Sequence, residues 1–296
     1  MIYTYILGRL GNNLAQIAAA ATLADKFKQD FIAVPHPTMV LPAPDNCSVS
    51  EYIKPYLNTI FRNVRFVDSV PDNIPIISES TDLTKLVIAE NEDICLLLNG
   101  TIYDFNFYNR KSLQKVFAID AETEQYIKNK YPQIFDGGRW CSVHVRRGDY
   151  LDIPQDFAIC SKHYFEKAMA QMNDDYYLIV SDDLDWCRKN FVSKNIVIAD
   201  KESALVHMYL QVFCSDNITS NSTFSLWAAI INDTKDQKVC VPSPWFGFAH
   251  RKLEVHQQRI IPVEWRRISN YSWRYIWGMM IWLKNGIKLN LQKLKR

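Results

Sequence analysis

Apolar positions along this chain alternate between strand-like runs and helix-like spacing. Residues 2–7 (IYTYIL) form a short apolar run, and Gly8 to Gly11 supplies a turn. From Asn12 an Ala-rich stretch puts Leu14, Ile17, Ala21 and Ala24 on one helical face. Strand, glycine turn and helix in that order open a doubly wound unit. Residues 33–75, rich in Pro and Asn, carry no clear period, whereas 94–98 (ICLLL) predicts a strand and 120–130 a helix. Gly137-Gly138 interrupts the pattern and predicts a domain boundary. Beyond it the spacing predicts strand Trp140–Val145, helix Lys162–Met172 and strand Tyr176–Val180 with a helix after it. A helix near Ala204–Leu210, strand Val212–Ile218, a helix from Phe224 to Ile231 and strand Lys238–Val241 follow. Regular β/α alternation predicts a mostly parallel sheet.

Four polar clusters follow the predicted strands: Gly8–Asn13, Arg146–Asp149, Ser181–Asp183 and Ser220–Thr223. In open α/β sheets, ligands bind at the carboxyl ends of the strands. Four clusters at such ends therefore predict one shared site better than any of them alone.

Composition bounds the reading. The chain has 296 residues, 48% apolar and 22% charged, enough for two folded domains or one large one. A net charge of +2 gives no case for a nucleic-acid binder. The seven cysteines are widely spaced with no CxxC pair, which favours neither a zinc site nor a disulfide framework and fits a reducing, cytoplasmic setting. His36, His163, His207, His250 and His256 show no ligand spacing. No basic segment followed by a long apolar core opens the chain, so no signal peptide is expected. The longest apolar stretch near the end, Tyr275 to Leu283, falls short of the ~20 residues a membrane span needs.

The clusters differ in chemistry. HVRRGDY (144–150) sets Arg146 and Arg147 side by side after a strand. Guanidinium forks match phosphate oxygens and stay charged, and fixed cations stabilise a departing diphosphate. Two such arginines can equally serve in surface ion pairs. SNSTFS (220–225) opens a helix in which Ser222 or Thr223 can cap, and the helix tip offers an anion site for phosphate. SDDLDW (181–186) contains Asp183-Leu184-Asp185, a pattern able to hold a divalent cation under a sugar nucleotide. The alternatives are helix capping, by Asp182 with acids in the first turn or by Asp183 and Asp185 themselves, and hydrogen bonds that Asp182 accepts from a nucleotide base. GRLGNN (8–13) lacks dinucleotide-fingerprint spacing and is weak alone.

HVRRGDY, SDDLDWC, SNSTFSLWAA and GRLGNNLAQ together resemble the α-1,2-fucosyltransferase family of inverting glycosyltransferases, bacterial type. CSKHYF (160–165) and PVEW (262–265) add to the likeness, which spans roughly residues 1–266. The resemblance implies a GT-B-like α/β fold: two Rossmann-like halves with mostly parallel sheets facing a cleft. It implies GDP-fucose as donor, inversion at the anomeric carbon and no required metal or other cofactor. By motif position, Arg146 and Arg147 would bind the diphosphate and His144 would lie near the nucleotide. Asn221, Ser222 and Thr223 would cradle phosphate, Asp182 would hold guanine or ribose, and Gly11 and Asn12 would border the donor. Asp149, the acid nearest the arginines, is expected either as general base or as the group that orients Arg146 or Arg147. The expected reaction moves fucose to a galactoside hydroxyl in surface glycan synthesis. Arg9, Asn13, Ala15, Leu226 and the segment GTIYDF (100–105) depart from the family pattern, chiefly in the expected acceptor half. The corresponding domains are 1–138 (mainly acceptor side), 139–266 (donor side) and a tail, 267–296. Other classes stay open: another nucleotide-sugar donor, a metal-dependent transferase using Asp183 and Asp185, or a non-catalytic binder of glycans or nucleotide sugars.

The tail lies outside that pattern. Trp273, Ile276, Met280, Leu283, Ile287, Leu291 and Leu294 recur at spacings of three or four. Residues 267–296 carry seven Lys and Arg and no acid, leaving the rest of the chain at −5. This predicts an amphipathic helix that either lies on an anionic membrane, where a lipid-linked acceptor would be met, or packs on the protein or a second copy.

Overall fold

The computed structural model describes residues 1–78, 80–89, 92–99, 107–254 and 261–294. GTIYDF (100–105), His256, Lys295 and Arg296 lie outside the described residues. The chain forms two compact units, Met1–Phe135 with Ala204–Tyr209, and Asp136–Ser203 with Leu210–Arg296.

The first unit is built on strands β1 (Ile2–Ile6), β2 (Phe31–Pro35), β3 (Ile76–Ser78) and β4 (Ile94–Leu97). They form an all-parallel sheet in the order β2-β1-β4-β3. Helix α1 (Leu10–Phe27) packs its run of alanines, Ala18 to Ala21, against the sheet side and ends at Lys28 in the left-handed region. Helices α2 (Val49–Leu57), α3 (Arg110–Val116) and α4 (Ala121–Lys130) are each capped by a polar side chain, from Ser48, Asn109 and Asp120.

The second unit contains β5 (Trp140–Val145), α5 (Lys162–Met172), β6 (Tyr176–Ser181), α6 (Leu184–Asn190) and β7 (Ile196–Ile198). After α7 (Ala204–Phe213), whose first residues belong to the first unit, come β8 (Asp216–Ile218), α8 (Thr223–Ile231), β9 (Val239–Ser243), β10 (Arg266–Ser269) and α9 (Trp273–Leu294). Its six strands run in the order β10-β9-β8-β5-β6-β7, all parallel. Counted within the unit this is the 3-2-1-4-5-6 order of a doubly wound dinucleotide-binding sheet. The expected α/β class with two Rossmann-like, parallel-sheet halves is what these topologies give. Cys141, Val143 and Val145 of β5 pack on Tyr164, Phe165 and Met172 of α5 in the core. Both faces of β5 are covered, and its two buried polar residues are paired, Ser142 with Asn217 and His144 with Ser220.

Three expectations change. Helix α1 begins at Leu10, so Gly11 lies in its first turn and not in the preceding bend. The predicted strand Val212–Ile218 is helix as far as Phe213, and β8 is only three residues long. A single cut near residue 138 does not describe the units, because Ala204–Tyr209 returns to the first. There Tyr209 is buried and donates its hydroxyl to the Phe117 carbonyl (2.8 Å).

Candidate active site

The sheet order reverses between β5 and β8, since the chain leaves β5 toward β6 and β7 and then returns to the other side of β5. In open α/β sheets the loops after two such strands leave a ligand crevice at their carboxyl ends. The β5 loop carries Arg146 and Arg147, and the β8 loop carries Ser220 to Thr223. The structure brings the two loops together: His144 Nδ1 and Ser220 Oγ lie 2.7 Å apart, and Tyr150 donates its hydroxyl to the Asn221 carbonyl (3.4 Å). The His144 ring also lies 5.4 Å from that of Phe224.

Each arginine is held by named acids. Arg146 Nη2 donates to Asp149 Oδ1 (2.6 Å), Arg146 Nη1 pairs with Asp182 Oδ2 (2.8 Å), and its guanidinium overlies the Tyr150 ring. Buried Arg147 donates Nε to Asp183 Oδ2 (2.9 Å) and lies 4.2 Å from the Trp186 ring centroid, a cation–π contact. Its Nη1 and Nη2 ends make no hydrogen bond to a described residue. Asp182 Oδ1 also accepts from the Arg147 backbone N–H (2.9 Å). Gly148 is needed for this arrangement, because a Cβ there would stand 2.7 Å from Asp182 Oδ2. Arg274, at the start of α9, adds a third guanidinium; burial and the nearby Arg147 charge lower its pKa.

Of the acids expected to cap, Asp183 does so for α6, accepting from Trp186 N (3.1 Å), and Asp185 does not. Asp182 clamps both arginine positions. Asp185 is exposed and pairs with Arg188 (3.1 Å), so the Asp183–Asp185 pair does not converge. Among the described residues no group of three or more His, Cys, Asp or Glu could hold a metal ion. Asp149 is Arg146's partner at 2.6 Å, the orienting alternative.

In the β8 loop, Asn221 is buried, with Nδ2 donating to the Trp245 carbonyl (2.9 Å) and Oδ1 facing Cys160 Sγ (3.8 Å). Its side chain thus ties the loop to the Trp245 and Cys160 segments. Ser222 caps α8, accepting from Phe224 N (3.3 Å), and Thr223 is the first helical residue. In the first unit, Gly11 is buried and Asn12 N bonds back to the Arg9 carbonyl (2.9 Å). The departure at Arg9 has a local cause, an ion pair to Asp45 (2.7 Å).

Sequence reasoning left Tyr150, Trp186 and Ser220 without a role inside its motifs and missed Arg274. The first three act through the arginines or His144. Burial pushes the Tyr150 hydroxyl pKa up to about 12, with Arg146 opposing, so it stays protonated as a donor to Asn221.

The profile of glycosyl transferase family 11 matches residues 1–268. Over 125 residues the chain is 31% identical to an O-antigen biosynthesis glycosyltransferase, WbnK, of Escherichia coli, covering 38% of this chain and 41% of that one. An α-1,2-colitosyltransferase of the same organism is 27% identical over 43% of this chain and 47% of its own. A galactoside α-(1,2)-fucosyltransferase 1 of Alouatta belzebul is 25% identical over 76% of this chain and 63% of its own. The chain thus spans less than half the length of the two bacterial relatives. The fold is shared with the crystal structure of fucosyltransferase NodZ from Bradyrhizobium, at a TM-score of 0.51 and 14% identity, over 77% of this chain and 91% of that one. With its family profile matched from the first residue into β10, the chain belongs to glycosyl transferase family 11.

Proposed function

We propose that this protein is an inverting glycosyltransferase that moves L-fucose from GDP-fucose to a galactoside hydroxyl in an α-1,2 linkage. The observation that carries the reading is the junction of the Arg146–Arg147 loop and the tip of α8 where the β5–β8 order reverses. Membership of family 11 and the activities named for its relatives support the chemistry.

In the proposed step the acceptor hydroxyl oxygen forms a bond to the anomeric carbon of GDP-β-L-fucose from the face opposite GDP. The bond to the diphosphate oxygen breaks, GDP leaves with its electron pair, and the hydroxyl proton goes to a base. Charge grows on the diphosphate as the bond lengthens, so cations fixed there favour the transition state over the ground state. Arg146 and the Nη groups of Arg147 fill that role, and the α8 N-terminus with Ser222 and Thr223 receives phosphate oxygens. Asp182 and Asp149 hold the guanidinium forks at fixed angles, and His144 borders the nucleotide. No metal is assigned, and full activity is expected in EDTA.

The acceptor is a galactose-containing glycan of surface-glycan synthesis, carried on a lipid, and residues 267–296 contact the cytoplasmic face of the membrane that holds it. The colitosyltransferase among the relatives supports a second reading with a different nucleotide sugar. Incubation with GDP-fucose and an array of galactosides, read by mass spectrometry, tests the proposal. A fucosylated galactoside formed equally with and without EDTA is expected. GDP bound without transfer, or transfer only from another donor, would overturn it.

A further inference from the structure

Helix α9 has two faces that the structure treats differently. One is fitted to its own unit: Gly278 lies so close to Pro154 that a Cβ would sit 2.2 Å from that carbonyl oxygen. Tyr275 and Trp282 meet the Phe248 ring at 6.3 and 5.4 Å, and Arg251 lies 4.7 Å from the Trp282 ring. The segment beneath is itself tied down, since Gly247 N donates to the Asp156 carbonyl (2.8 Å) and Ala249 N to the Gln155 carbonyl (2.8 Å).

The opposite face is exposed. Trp273 is 66% exposed, Ile276 53%, Met280 53% and Ile287 62%, with Trp277 and Leu283 also exposed. At 3.6 residues per turn these six side chains fall within about a third of the circumference, centred opposite Gly278 and Trp282. No described helix is long and apolar enough to cross a membrane.

We propose that this outward face of α9 docks on an anionic lipid bilayer, lying in the plane of the headgroups. The inference deepens the membrane contact in the proposed function and rests on it for its purpose. Charge selects the occupant. Residues 267–296 carry seven cations and no acid, whereas the rest of the chain is net acidic. A second copy would bring together two segments rich in cations and free of acids; an anionic bilayer supplies both the counter-charge and an apolar layer. Exposed Lys284 lies within the stripe, where its stem can follow the apolar surface while the ammonium reaches a headgroup. Trp273 and Trp277, rings 6.5 Å apart, suit the headgroup boundary.

The test uses the full chain and vesicles of phosphatidylcholine with or without about a third phosphatidylglycerol, read by sedimentation. Binding is expected only to the anionic vesicles, weakened by salt, and at least tenfold weaker in the double variant Ile276→Glu, Met280→Glu. Both positions are exposed, so the thermal midpoint and transfer to a soluble galactoside should match the parent chain. Equal binding to both vesicle types, no binding, or parent-like binding by the double variant would overturn the proposal. So would a dimer in analytical ultracentrifugation that the double variant converts to monomer, since the face then belongs to a second copy. Anionic-vesicle binding lost in the variant, by a chain that transfers no fucose, would support lipid docking while removing the donor assignment.

Discussion

At the scale of single residues, the arginine motif is a set of charges held in advance of any ligand. Arg146 is gripped by Asp149 and Asp182, and Arg147 by Asp183 and the face of Trp186. Three acids around two arginines would suit a structural ion-pair network equally well, and kinetics separates the two. Arg146→Ala should lower kcat with GDP-fucose by on the order of 100-fold or more, the usual cost of losing one preorganised charge-stabilising donor. A structural pair predicts a change of only a few-fold together with a lowered melting temperature. Asp149→Asn addresses the second role. As the group that orients Arg146, it should lose activity by less than Arg146→Ala and keep the shape of its pH–rate profile. Loss of the acidic limb would make Asp149 the base.

At the scale of elements, α8 joins local structure to the site. It is a short helix of apolar residues whose first turn depends on Ser222. Ser222→Ala should cost about 1 kcal/mol of stability through the lost cap, whereas glycine caps nearly as well. Ser222→Gly therefore isolates the hydroxyl: near-parent melting with a raised KM for GDP-fucose indicates a phosphate contact, and an unchanged KM indicates a cap alone. The same scale shows what the sequence could convey. Helix α5 was legible to the residue because Ser161, an apolar stripe and Asn173 mark its start, body and end. Strand β5 was legible because both of its faces are buried. Val212–Ile218 misled because apolar residues leaving a buried helix have no period of their own, and the turn at Cys214 carries neither Gly nor Pro. Edge strand β7 is half-buried throughout and gave no alternation. The arginines and the SNST loop could be read from type and order, but their meeting depended on the β5–β8 pairing, which strand order alone reveals. Contacts such as Trp186 on Arg147 had no signal beyond closeness to the motif.

At the scale of the whole molecule, the far edge of the second sheet carries a different device. Asp174 and Asp216 are buried together there, with Arg139 bonded to Asp216 (2.8 Å). Burial, then the neighbouring Asp216 carboxyl, pushes Asp174 up from 3.8 to about 7. The folded chain thus keeps a proton that the unfolded chain releases, and this site's contribution to stability falls as pH rises from about 4 to about 7. Urea unfolding midpoints at intervals between pH 5 and 7.5 should show that decline, and Asp174→Asn should flatten it without loss at pH 7.5. A steeper decline in the variant would rule out the proton held by Asp174. The path of the chain has a separate consequence. Ala204–Tyr209 belongs to the first unit yet is translated after β5, β6 and β7 of the second. The two halves therefore cannot mature in their order of emergence from the ribosome. The bond from Tyr209 to the Phe117 carbonyl can close only once the opening strands of the neighbouring half have already been made.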